Sequence, residues 1–354
     1  MIAASISISV AITLLFMTVL RPLAVSVGLV DRPGGRKSHV GEIPIVGGIA
    51  MFAGIFFGLA LLPDLASGYW YLLLSGALLV IVGALDDRYD VPAEIRLVAQ
   101  TCAAIIMVYG GGLVVWDVGN PLGLGTISLG PFALIFTILV TLTVINAFNL
   151  VDGVDGLAGS MAIISLFSIV VAGGMAVDTT AIASVVCASV AGFLVFNYPV
   201  YANRRLRSFM GDAGSTLLGL IVVWLTIRVS QGDSRSMSPV TGLWFVAVPL
   251  FDLFTCFVRR ISKGRSPFRP GREHFHHLLY RAGFSVRQTL WVLTAIAVLY
   301  AAFGLLGHWA EFAESVMFII WLGCASVQYL ILKKVATLFR YNRRCSRSGG
   351  IQTI

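Results

Sequence analysis

Apolar runs of about twenty residues, parted by short polar stretches, recur along the whole chain. They lie at 2–20, 46–62, 69–85, 95–113, 131–148, 157–177, 179–198, 213–230, 241–258, 288–307 and 315–333. A hydrocarbon layer about 30 Å thick takes about 20 mostly apolar helical residues to cross, so the pattern predicts an all-α polytopic membrane protein of about eleven transmembrane helices. The first run has no basic start and no small-residue cleavage site, and it leads straight into Arg21-Pro22, which makes it a span and not a removable signal. Between the fourth and fifth runs, Val114–Val118 and Thr126–Leu129 are rich in β-formers and flank a Gly/Asn/Pro turn region, predicting a small hairpin. No repeat or low-complexity tract interrupts the order, so residues 1–334 read as a single transmembrane domain and 335–354 as a basic tail.

Composition agrees. With 58% hydrophobic and 12% charged residues over 354 positions, the apolar surface is too large for one water-soluble core. Of the 25 Lys and Arg, all but Arg228 and Arg235 fall in alternate inter-span segments. Cation-rich short loops stay in the cytoplasm, which places the N-terminus and the hairpin on the periplasmic side and the C-terminus inside. The net charge of +8 is mostly this topogenic signal, so it is not read as nucleic-acid binding; the partner it implies is the lipid bilayer, with phosphates at the inner face. Cys102, Cys187, Cys256 and Cys324 lie in spans and Cys345 in the tail, without metal-ligand or disulfide spacing, and read as packing residues.

The chemistry-bearing residues gather where inner loops meet helices. "DDRYD" sets Asp86, Asp87 and Asp90 at the inner end of the third span, an arrangement suited to a divalent cation or a proton, with a hydrated acid cluster as the plain alternative. "INAFNLVDGVDGLAG" spaces Asn146, Asn149, Asp152 and Asp155 three apart, a slowly drifting stripe if helical, and an interhelical hydrogen-bond seam is the rival reading. "FMGDAGST" places Asp212 at a helix start, as a metal ligand or an ordinary N-cap. The longest inner loop collects eight cations with Arg272, His274, His276 and His277, a set suited to a pyrophosphate and weak as a zinc site. Arg36, Lys37 and His39 in the first inner loop and Asn197 at the end of the seventh span are helix-end caps or head-group contacts. Asp252, inside the ninth span, is a buried acid whose natural partner is one of the cations of the histidine loop.

All of these clusters share one side, which argues for one inner-face site where a nucleotide-sugar and a lipid phosphate meet. "LDDRYD", "NAFNLVDGVDGLAG", "FMGDAGST" and "HFHHLLYRAG" resemble, in order and spacing, the signature blocks of the polyprenyl-phosphate N-acetylhexosamine-1-phosphate transferases, from about Val30 to the last span. Phe275 interrupts what in the peptidoglycan-precursor branch is usually a run of three histidines, and this favours a smaller UDP-sugar. The resemblance implies transfer of GlcNAc-1-phosphate from UDP-GlcNAc to undecaprenyl phosphate with release of UMP, Mg²⁺ or Mn²⁺ as cofactor, a bacterial inner membrane location and a homodimer. It implies a role at the first lipid-linked step of O-antigen or common-antigen synthesis.

Motif by motif, the resemblance makes Asn149 and Asp212 the metal ligands, Asp155 a uridine contact and Asp152 the neighbour that orients it. Asp86 and Asp87 resemble a pair assigned to lipid-phosphate deprotonation or to metal, with Asp87 favoured as the base. Arg272, His274, His276 and His277 are expected on the pyrophosphate and sugar, and Asn146, Asn197, Arg36, Lys37 and His39 on the substrates' remaining groups. An intramembrane prenyltransferase with a DDxxD-like acid cluster, and a transporter lined by the polar stripe, are the competing classes.

Overall fold

Helices stand at every one of the eleven apolar runs, and the differences from expectation lie at their ends and in one broken run. The structure, a computed structural model, describes residues 1–32, 41–62, 68–199, 206–232, 235–264, 266 and 274–348, with side chains up to 334. In chain order the elements are α1 (Ile2–Val27), β1 (Val30–Asp31), β2 (Ile43–Pro44), α2 (Gly47–Ala60), α3 (Tyr69–Tyr89), α4 (Ala93–Tyr109), α5 (Ala133–Val151) and α6 (Leu157–Ala172). They continue with α7 (Val177–Asn197), α8 (Gly211–Ser230), α9 (Pro239–Phe245), α10 (Ala247–Ile261), α11 (Phe275–Arg281), α12 (Val286–Trp309) and α13 (Glu314–Ser348). Seven of these helices are long and apolar enough to cross a membrane, and α9 with α10 makes an eighth if the bent pair is one span. α2, α4 and α6, with 14, 17 and 16 residues, are shorter and are not among them, so three of the eleven expected crossings are not met by length.

The run at 241–258 is not one straight helix: α9 and α10 meet at an angle of 84°. The cause is legible at Pro249, whose ring has no N–H to give the Phe245 carbonyl and would clash with it in a continuous helix. The carbonyl released in this way accepts a hydrogen bond from Ser165 Oγ at 2.7 Å, as a backbone group at membrane depth requires.

α8 forms the central pillar: 89% of its apolar window is buried, against 22% for α1 and for α13, which face outward. α8 packs against α3, α5, α2 and α6. Hydroxyls stitch α1 to its neighbours, with Ser9 Oγ on the Val185 carbonyl (2.9 Å), Thr13 Oγ1 on Ser189 Oγ (2.8 Å) and Ser189 Oγ on the Met51 carbonyl (2.9 Å).

The expected hairpin at 110–131 is present in short form, with one antiparallel bridge, Asp117 with Ser128, and with Leu129 N–H on the Trp116 carbonyl (2.9 Å) and Val118 N–H on the Ile127 carbonyl (3.1 Å). Its backbone is also held from outside: Gln231 Oε1 accepts from Trp116 N–H (2.9 Å) and Glu314 Oε2 from Asn120 N–H (2.8 Å), while Arg235 reaches Asp117 (3.1 Å). The regular two-stranded sheet among the described residues is β1 with β2, in the first inter-span loop.

Candidate active site

The chain ends of α1, α3, α5 and α7 and the starts of α2, α4 and α8 meet at one end of the bundle around a cavity of about 1830 Å³. At its acidic wall, α3 runs four residues past its apolar stretch, so Asp86 and Asp87 occupy its last turn, and Asp90 ends it in the left-handed region at φ 54°. Asp86 Oδ1 accepts from Val91 N–H (2.7 Å), and Arg96, from the first turn of α4, donates through Nη1 both to Asp86 Oδ2 (2.8 Å) and to Asp212 Oδ2 (3.0 Å). Asp87 takes a different job. Its Oδ1 accepts from the backbone N–H of Asp212 (3.0 Å) and its Oδ2 faces that of Ala213 (3.4 Å), so it closes the bare N-terminus of α8 from a neighbouring helix. Gly211 permits this at φ 72°; a Cβ there would stand 2.3 Å from Asp87 Oδ2.

The start of α8 is also pinned by backbone. Phe209 N–H donates to the Pro44 carbonyl (2.9 Å), and Gly47 N–H and Gly48 N–H return to the Phe209 and Met210 carbonyls (3.0 Å each), joining the β2 segment to the approach to α8. From α5, Asn149 Nδ2 donates to Asp212 Oδ1 (2.8 Å) and Ser215 Oγ (3.1 Å). Asp212 is thus gripped by Asn149 and Arg96.

α5 stops at Val151, with Asp152 as its C-cap, so the expected stripe is cut in two: the amides lie on the helix and the acids on the loop to α6. That loop is stapled by Asn197, whose Oδ1 accepts from Gly156 N–H (2.7 Å) while its Nδ2 donates to the Ser208 carbonyl (2.9 Å). Asp155 is ion-paired with Arg207, whose guanidinium also lies 5.1 Å from the Phe209 ring centroid. Burial, and then the carboxylates of Asp212, Asp87 and Asp155, push the Asp152 pKa well above the usual carboxylate range. Among the described residues no hydrogen-bond donor or cation is placed on the Asp152 side chain.

The opposite wall is α11. His276 and His277 line the cavity, and the loop of α5 and α6 comes so close that a Cβ on Gly153 would stand 2.5 Å from His276 Nε2. Burial, aided by His277, lowers the His276 pKa to about 3, so the imidazole is neutral at ordinary pH. Tyr280 also lines this wall, its phenol pushed up to about 12 by burial and by Asp155.

Residues 69–230, the stretch from the start of α3 to the end of α8 that carries the acidic wall, match the family model described as Glycosyl transferase family 4. The undecaprenyl-phosphate alpha-N-acetylglucosaminyl 1-phosphate transferase of Escherichia coli K12 is 38% identical over 342 residues, covering 95% of this chain and 92% of that protein. The proteins of the same name from Yersinia pestis and Haemophilus influenzae are 37% and 35% identical, over 94% and 86% of this chain and 92% and 86% of theirs. The chain belongs to the polyprenyl-phosphate N-acetylhexosamine-1-phosphate transferase family. Membership makes it a membrane transferase of the phosphoglycosyl class, and the prenyltransferase and transporter readings fall away.

For a member of this transferase family, the structure sorts the expected site residues unevenly. Asp86, Asp87, Asp152, Asp155, Asn197, Asp212, His276 and His277 all line the one cavity. Asn146 does not: its Nδ2 donates to Gln100 Oε1 (2.7 Å) and the Leu142 carbonyl (2.8 Å), the interhelical seam that amides at membrane depth need. Asn149 stands behind Asp212 and orients it. His274 is 6% exposed and turned away from the cavity, its Nδ1 on Asp252 Oδ2 (3.0 Å) and beside Cys256 Sγ (3.3 Å). Arg36, Lys37, His39 and Arg272 lie outside the described residues.

Arg96, Arg207 and Tyr280 are wall residues that sequence reading passed over. In the sequence Arg96 and Arg207 are indistinguishable from topogenic cations except by their closeness to the "DDRYD" and "FMGDAGST" blocks.

Proposed function

We propose that this transferase moves GlcNAc-1-phosphate from UDP-GlcNAc to undecaprenyl phosphate and releases UMP, at the cytoplasmic face of a bacterial inner membrane. The observation that carries the reading is a single cavity with carboxylates on one wall and histidines on the other, at the mouth of an apolar bundle. The names borne by the enterobacterial relatives support the donor sugar and the lipid, and the cation bias of the loops supports the sidedness. An apolar pocket of about 580 Å³ between α5, α8, the α9–α10 bend and α13 offers room for part of an isoprenoid chain.

The donor set fits a hard divalent cation. Asp86, Asp87, Asp152, Asp155 and Asp212 present oxygens alone, and their mutual repulsion at Asp152 is what a bound Mg²⁺ or Mn²⁺ would relieve. Asp212, steadied by Asn149, and Asp152 across from it are the residues that would hold it. When bound, such an ion neutralises charge on the phosphoryl oxygens.

In the transfer, an oxygen of the lipid phosphate forms a bond to the sugar-linked phosphorus, and the bond from that phosphorus to the bridging oxygen breaks, its electrons leaving on UMP. A phosphate monoester has a second pKa of about 6, so the attacking oxygen is mostly deprotonated at pH 7 and little general-base help is required. That suits Asp87, whose side chain is spent on the α8 terminus. The work of the protein is alignment and charge complementarity. Arg281 and Arg88 line the cavity as cations, whereas neutral His276 meets the donor as a hydrogen-bond partner and not as a charge. Asp155 with Arg207, next to the Phe209 ring, suits the nucleoside end.

Purified protein in nanodiscs, given labelled UDP-GlcNAc and undecaprenyl phosphate, is expected to form lipid-linked sugar and UMP in equal amounts. Inside-out vesicles should use added donor and right-side-out vesicles should not. Absence of both products with Mg²⁺ or Mn²⁺ present would refute the reading.

A further inference from the structure

We infer that Asp252 is a positioning residue, which through two hydrogen bonds sets the histidine wall against the donor's phosphates. This rests on the reading that His276 and His277 face the donor.

α11 has seven residues, and its N-cap, His274, makes no side-chain cap of its own. A helix that short has little stability in isolation, and its first N–H groups need partners. Asp252 supplies one from α10. Its Oδ1 accepts from the Phe275 backbone N–H at 2.7 Å, and its Oδ2 receives the His274 Nδ1–H at 3.0 Å. Both bonds go to one carboxylate that is 2% exposed, where hydrogen bonds to charged groups are strong. They fix His274 as the tautomer protonated on Nδ1 when neutral.

The consequence runs along the helix. His276 and His277 follow Phe275 directly, and the His274 and His276 rings stack nearly parallel, 7° apart with centroids at 5.7 Å. α11 also packs on α13 through Leu278 and Leu332, and on the main core through Phe275, Leu279 and Tyr280. Those contacts are apolar and non-directional, so they do not by themselves set the rotation of the helix. The two bonds to Asp252 do, and the near approach of Gly153 to His276 leaves little room for another placement.

The test reads the histidines directly. Carbethoxylation of the full-length protein in nanodiscs, followed by mass spectrometry, reports the reactivity of His276 relative to His308, which lies at the far end of α12. Asp252→Asn is expected to raise the His276 rate at least fivefold and leave His308 unchanged. His274→Leu should do the same, and His274→Asn, which keeps a donor where Nδ1 stands, should hold His276 near its native rate. The double variant Asp252→Asn/His274→Leu should add little to either single one. In turnover, Asp252→Asn is expected to raise the donor KM about tenfold and leave the lipid-phosphate KM within twofold.

An unchanged His276 rate in both Asp252→Asn and His274→Leu overturns the inference, as does an equal rise at His308, which marks general loosening. If the protein transfers no sugar at all, the proposed reaction fails while the labelling result still decides the role of Asp252.

Discussion

Asp87→Asn separates two roles for the same carboxylate. The native side chain accepts one bond of normal length, 3.0 Å from Asp212 N–H, and faces a second donor at 3.4 Å. A hydrogen bond to a charged acceptor contributes about 1.5–3 kcal/mol and a neutral one about 0.5–1.5, so replacing the carboxylate by an amide that keeps one carbonyl oxygen costs about 1–2 kcal/mol. Losing the anion at the α8 terminus adds about 0.3–1 kcal/mol. The expected loss of stability is therefore about 2 kcal/mol at about pH 9, where the native carboxylate is ionised, read from tryptophan fluorescence on heating in nanodiscs.

The effect on turnover follows from what Asp87 holds. It grips the backbone N–H of Asp212, and displacing a reacting or binding group by about 1 Å can cost about 100-fold in rate. Burial, and then the Asp212 carboxylate, raise the Asp87 pKa to about 8, so the native cap is mostly uncharged at about pH 6 and ionised by about pH 9, and the deficit of the variant should deepen as pH rises. A base for the lipid phosphate would give another curve, with the deficit deep in acid and vanishing where the monoester, of second pKa about 6, is already ionised. Recovery of native turnover above about pH 8, with no loss of stability, would refute the capping role.

Gly153→Ala should fold normally yet push His276 aside, since the added Cβ falls 2.5 Å from Nε2, and is expected to raise the donor KM several-fold; native kinetics would show that the ring does not sit there. Because His276 is held near pKa about 3 against an ordinary 6.5, the folded state binds fewer protons between those values. Its contribution to stability is whole above about 6.5 and is lost as pH falls toward 3, so His276→Gln should flatten the acid side of the stability curve, and an identical slope would contradict its neutrality. Asp152 runs the other way: with its pKa raised, the metal-free protein loses stability as pH rises through that shifted value. Mg²⁺ should therefore raise the unfolding midpoint more at pH 8 than at pH 5, and equal shifts would place the ion elsewhere. Asp212→Asn should abolish that Mg²⁺ shift and lower turnover at least 100-fold, and a retained shift would remove Asp212 from the metal site.

The separate clusters were legible as motifs because each is local: a carboxylate pair, a string of Asn and Asp, a Gly-Asp-Ala-Gly turn and a histidine block all show themselves within fifteen residues. Which member of each faces the cavity was not. Asn146 and Asn149 carry the same side chain three residues apart, yet one is consumed by Gln100 and the other by Asp212, partners 46 and 63 positions away. His274 and His276 are separated by one residue, yet the first is bonded to Asp252 and the second lines the cavity. Arg96 and Arg207 looked like any loop cation until α8 brought Asp212, and the α5–α6 loop Asp155, within reach.

By itself the sequence determined the solvent and the helices, because burial of apolar residues in lipid and internal satisfaction of the backbone follow from length and hydropathy alone. It also pointed to the chemical class, through the resemblance of its blocks of acids, amides and histidines to the signature blocks of the transferase family. Tertiary structure alone decided the assignments within the site: that Asp87 closes a helix, that Asn149 serves Asp212, that the α9–α10 span bends and its freed carbonyl goes to Ser165. Those outcomes depend on hydrogen bonds between residues far apart in the chain, and such a bond has no local signature, because each buried polar group takes whichever partner the packing of the helices brings within about 3 Å.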